Sequence, residues 1–223
     1  MIELSPDEAR VLGVLIEKAT TTPEQYPLSM NAIVNGANQK NNRDPVTSMT
    51  EDQAFDAIEG LRQKGLVIRV DVPGNRVSKY RHNAIETLHV RTGEAAILAE
   101  LLLRGPQTLG ELRGRASRMA PMDTLDVARD LIRALGERPE PLVKQIAPAP
   151  GSRAERYLQL LAPEAHAVTE GVASAGEVGI APGGGGGPSV SARVQALEAE
   201  VETLKGALRK LAAAVGEADP LGS

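Results

Sequence analysis

This chain repeats itself, and that restricts its fold more than any other feature. EARVLGVLIEK (residues 8–18) returns as EAAILAELLLR (residues 94–104), with Ala9 aligned on Ala95 at an offset of 86. PGNRVSKY (residues 73–80) returns as PGSRAERY (residues 150–157) at an offset of 77. Two ordered matches at similar spacing point to a duplicated unit. The offsets differ by 9, so the first unit is the longer one.

Each unit shows the same order of local signals. In the first, Ser5 caps a helix running to Lys18, with Pro6 in its first turn and Glu8 completing a capping box. Ser29 starts a second helix, expected to reach Gln39. Thr50 and Gln53 open a third, whose expected buried face is Phe55, Ile58 and Leu61, and Gly65 ends it. LVIRVDV (66–72) and RVSKYRH (76–82) then read as a hairpin around PGN. In the second unit the first helix spans about 93–103, and Thr108 with Glu111 caps the second. Asp123 is the expected cap of the third, with Leu125, Leu131, Ile132 and Leu135 as its apolar face. PLVKQIA (141–147) and ERYLQLL (155–161) form its hairpin. Three helices followed by a β-hairpin is the winged-helix order.

The expected fold class is α+β, mainly α with small β-hairpins. Winged helix 1 spans 1–90, winged helix 2 spans 91–162, and a Gly/Ala/Pro-rich linker spans 163–190. A coiled-coil helix over 191–216 follows. Its apolar residues run Val190, Val194, Leu197, Val201, Leu204, Leu208, Leu211, Val215. β-branched a positions with leucine at d favour a parallel pair. In that register Arg193 meets Glu198 of a second copy, and Glu200 meets its Lys205. A homodimer through residues 190–215 is the expectation; docking of the same stripe on the chain's own body is the alternative.

The long string LSPDEARVLGVLIEKATTTPEQYPLSMNAIVNGANQKNNRDPV, with GNRVSKYRH and LLLRGPQTLGELRGRASRM, resembles the YceH-like bacterial proteins. The likeness covers roughly residues 3–161. It implies the tandem winged-helix fold of an uncharacterised family and supplies no catalytic residue.

Composition limits the functions open to such a chain. There is no cysteine, hence no thiolate nucleophile or thiolate metal site. The three histidines are scattered, and no metal or other cofactor is expected. No glycine-rich phosphate loop follows a strand, and no nucleophile–histidine motif is present, so an enzyme is not expected. No apolar run approaches the ~20 residues that span a bilayer, so the expectation is a cytoplasmic protein without a membrane partner.

A DNA-associated regulator is the first reading, and a protein–protein interaction scaffold using winged helices as docking modules is the other. Charge argues against a strong nucleic-acid binder: residues 1–90 carry a net −2, residues 91–162 a net +2, and the whole chain −4. The third helices are poor groove readers, since Glu51, Asp52, Asp56 and Glu59 crowd the first and Asp123, Asp126 and Asp130 offset Arg129 and Arg133 in the second. Candidate contacts to double-stranded DNA are Arg76 and Lys79 in the first wing, Arg153 and Arg156 in the second, and a stripe of Arg113, Arg115 and Arg118. A second candidate surface is the asparagine face Asn31, Asn35 and Asn38 with Lys40 and Arg43, in a segment that follows the elaboration KATTTPEQYPLS of the first unit. The alternative for that segment is structural: Tyr26 covers the core, and the asparagines end the helix.

Overall fold

A computed structural model describes residues 2–71 and 77–166. The heptad segment, most of the linker, and Arg76 lie outside them. In the first half hydroxyl side chains start the three longer helices. Ser5 opens α1 (Pro6–Thr21), Ser29 opens α2 (Met30–Ala37) and Thr50 opens α3 (Glu51–Gln63). The strands of this half are β1 (Leu28–Ser29), β2 (Val67–Val70) and β3 (Lys79–His82). A short α4 (Ala84–Leu88), not foreseen in the sequence, leads into the second half. There α5 (Thr92–Arg104), β4 (Gln107–Thr108), α6 (Leu109–Ala116), α7 (Leu125–Gly136), β5 (Val143–Ile146) and β6 (Arg156–Gln159) follow in the same order.

The duplication extends to sheet register. The two antiparallel sheets run β1-β3-β2 and β4-β6-β5. Tyr80 faces Leu28 and Tyr157 faces Gln107, so the two tyrosines of the sequence match hold equivalent places. Glu8 and Glu94 also correspond. Each is buried at the start of the first helix of its half and accepts the N–H of the cap residue, at 2.7 Å from Ser5 and 2.9 Å from Arg91.

One core joins the halves. Leu12, Leu15, Ile33, Ile58 and Leu61 pack in the same cluster as Ile97, Leu98, Leu101 and Leu112. The boundary at 90/91 is therefore a sequence boundary that the packing crosses. Close approach of α1 and α5 depends on Gly13: a Cβ there would stand 2.8 Å from Leu103 Cγ. At the end of α3, Gly65 turns the chain at φ 71°, as its position predicts.

Several expectations are corrected. Phe55 is not core but 49% exposed, and Leu125 is 48% exposed. The buried stripe of α3 is Ala54, Ala57, Ile58 and Leu61, and Phe55 projects to its side. Thr124, not Asp123, caps α7, because Thr124 is extended and its hydroxyl accepts from Val127 N at 3.3 Å. α2 stops at Ala37, short of Gln39. α1 continues three residues past Lys18, to Thr21.

Candidate partner-binding surfaces

The elaboration in the first half is a lid on its own core. Pro23–Gln25 forms a single 3-10 turn, which delivers Tyr26 against the sheet. The Tyr26 hydroxyl accepts the backbone N–H of His82 at 2.6 Å, and the two rings stand 6.1 Å apart. Burial is the main cause that pushes the Tyr26 hydroxyl up to about 12, against the opposing His82 hydrogen bond and Arg81 charge.

The asparagine face does not persist. Asn31 and Asn35 are exposed on α2 and bond each other at 3.2 Å. Asn38 caps the helix and clamps the next segment, its amide donating to Met49 O at 2.8 Å while its oxygen accepts from Met49 N at 2.7 Å. Lys40 remains exposed. Arg43 does not face a partner: its side chain is 0% exposed and donates to Glu17 at 2.6 Å, Gly36 O at 2.9 Å and Gln39 at 3.1 Å. Once the helix ends at Ala37, the chain turns and carries Arg43 beneath the surface.

The arginine stripe is engaged by groups of the chain itself, with Arg113 and Arg115 half-buried and Arg118 exposed. Arg113 donates to Met122 O at 3.1 Å and Asp123 O at 2.6 Å. Arg115 donates to Gln107 at 2.6 Å and Glu111 at 3.3 Å. Arg118 lies past the end of α6 and binds Glu17 at 2.6 Å and Glu100 at 2.8 Å. Of the hairpin cations, Lys79 sits half-buried in β3, Arg153 is exposed in the β5–β6 turn, and Arg156 donates to Ala147 O at 3.2 Å.

The sequence reading missed the ionic cluster that Arg118 completes. Burial alone would raise the Glu17 carboxyl, but hydrogen bonding and charge from Arg43, and then Arg118, outweigh it and hold it below the ordinary range. Glu100, fully buried, also has Arg104 Nε 3.3 Å away, without hydrogen-bond alignment. Nearby Arg10 is buried; desolvation first, and then the charge of Arg43, bring its guanidinium pKa down to about 10, while it donates to Pro45 O at 2.6 Å. The signal for this cluster lay in the repeat. Glu17 aligns with Leu103, and Glu100 with Val14, so each half carries one acid where the other is apolar.

The outer face of α3 is acidic. Glu51, Asp52, Phe55 and Asp56 are exposed on α3. On α7, Arg129 and Arg133 are held by Asp126 and Asp130 one turn away on the same helix. Among the described residues, no three His, Asp or Glu side chains stand close enough to share a metal ion, and no helix is long and apolar enough to cross a membrane.

Comparison with known proteins identifies the family. Residues 4–152 match the family described as "Protein of unknown function, DUF480". The chain is similar to a UPF0502 protein of Pelobacter propionicus, 52% identical over 71% of this chain and 72% of the relative. It is similar to one from Citrifermentans bemidjiense, 48% identical over 72% of this chain and 74% of the relative. A UPF0502 protein of Shewanella pealeana is 40% identical over 94% of this chain and 99% of its own length. The extent of these matches agrees with the YceH-like resemblance: the chain belongs to the DUF480/UPF0502 family of bacterial proteins.

Proposed function

We propose that this chain is a non-enzymatic, cytoplasmic tandem winged-helix protein that works by docking a protein partner. One observation carries the choice of partner: neither third helix offers a free cation to a phosphate. α3 presents Glu51, Asp52 and Asp56, and the arginines of α7 are engaged by their own helix. A groove-reading helix needs donors for base edges and no net repulsion from the backbone. The remaining basic stripe is occupied as well, since Arg113, Arg115 and Arg118 each bond groups of the chain itself.

The DNA-associated reading is kept alive by one feature, the cations flanking the hairpins, Lys79, Arg153 and Arg156. A mobility-shift titration of random duplex at low salt decides between the two. Binding that collapses steeply with added salt favours DNA; absence of a shift at low salt favours the protein reading. The homodimer through residues 190–215 rests on heptad spacing. A sedimentation measurement that finds monomers at micromolar concentration would remove it.

A further inference from the structure

Six carboxylates gather on one side of the first half. Glu51, Asp52 and Asp56 stand on the outer part of α3, and Glu3, Asp7 and Glu164 rim an adjoining groove of about 640 Å³ that Asp56 also lines. Among the described residues, none of the six has an ion-pair partner within 4.0 Å. The cations at hand are already engaged, Lys64 with buried Glu8 at 2.6 Å and Arg62 with Glu59 at 2.7 Å. On α7 the matching positions are neutralised by Arg129 and Arg133. The uncompensated charge is thus particular to the first half.

Beside the acids of α3, and outside the lining of the groove, stands Phe55, 49% exposed. It is the chain's one phenylalanine, on a stable capped helix, yet it does not serve the core. An exposed aromatic beside like charges gains from being covered by an apolar group flanked by cations. A phosphate backbone would be repelled there, as would the same face of a second copy. The groove gathers no metal-ligand set.

We infer that α3 and the groove beside it dock a lysine- and arginine-rich protein segment bearing an apolar side chain over Phe55. This rests on the protein-docking reading above and names its surface and its partner's chemistry.

The test uses the full chain and two synthetic peptides, one repeating Lys-Leu-Lys-Lys and one repeating Lys-Ser-Lys-Lys, with a random DNA duplex as a third arm. Fluorescence anisotropy gives each affinity, and circular dichroism confirms that the variants fold. The leucine peptide is expected to bind the wild type, and both Phe55→Ser and the double change Asp52→Asn with Asp56→Asn weaken it by at least about tenfold. The serine peptide is expected to be weakened by the charge change only. Equal binding of the leucine peptide to wild type and both variants overturns the assignment to α3 while leaving the protein-docking reading standing. Binding of duplex with no binding of either peptide overturns both.

Discussion

Arg118 Nη2 lies 2.6 Å from Glu17 Oε1 and 2.8 Å from Glu100 Oε1, so one guanidinium ties the first helix of one half to the first helix of the other. Both carboxylates are buried, at 1% and 0% side-chain exposure, while Arg118 is 34% exposed. This clamp leads to the first two predictions.

Arg118→Met leaves Glu100 with only the unaligned Arg104 beside it. Removing one partner of a fully buried pair costs ~3–5 kcal/mol. The expected loss is smaller, about 2–3 kcal/mol, because Arg118 is partly solvated and Glu17 keeps Arg43. Urea unfolding of the full chain measures it; a loss under about 0.5 kcal/mol, the usual range for a surface change, means the clamp is ornamental.

Glu17 titrates below the ordinary carboxyl value of 4.5 when folded. A depressed carboxyl stabilises the fold above its unfolded value and loses that contribution as pH falls through the folded value. The wild type is therefore expected to exceed Glu17→Gln in stability at neutral pH. The gap should narrow as pH drops below 4.5. Paired melting curves over that window decide it, and a gap that widens on acidification contradicts the assignment.

Asn38 and Asn35 look alike in sequence and should behave differently. Asn38→Ala removes both bonds to Met49 and strands that residue's N–H and carbonyl, at a cost of about 1–3 kcal/mol. Asn35→Ala removes one exposed amide contact and should stay within about 0.5 kcal/mol. Equal effects in denaturant unfolding would show that the clamp contributes nothing.

Tyr26→Phe takes away the acceptor of the His82 N–H and should cost about 1–2 kcal/mol. In the wild type, ultraviolet titration should show one tyrosine ionising near 12, and this late phase should vanish in the variant. Because the folded value is raised, stability is expected to fall as pH climbs from 10 through 12.

Much of the frame was legible locally. Ser5 with Glu8, Thr50 with Gln53, and Thr108 with Glu111 each form the capping box their spacing predicts, since such bonds close within one turn. The PGNRVSKY and PGSRAERY match foretold equivalent strands, and Tyr80 and Tyr157 occupy them. Local signals misled where two residues competed for one role. Asp123 and Thr124 are both good caps, and only the backbone conformation chose Thr124. Phe55 is apolar at near-helical spacing, but the stripe facing α1 lies on its neighbours Ala54, Ala57 and Ile58.

The sequence by itself determined where most helices begin, how often the unit repeats and which hairpins close it, because those depend largely on contacts a few residues apart. It did not reveal which arginines face outward. Arg43 and Arg118 meet Glu17 across 26 and 101 residues, and only tertiary packing brings them together. Once buried beside a carboxylate, a charge is bound to that partner by the cost of desolvating it alone. So the tertiary structure buried Arg43, tied the arginine stripe to groups of the chain itself, and left the acids and Phe55 of α3 outside.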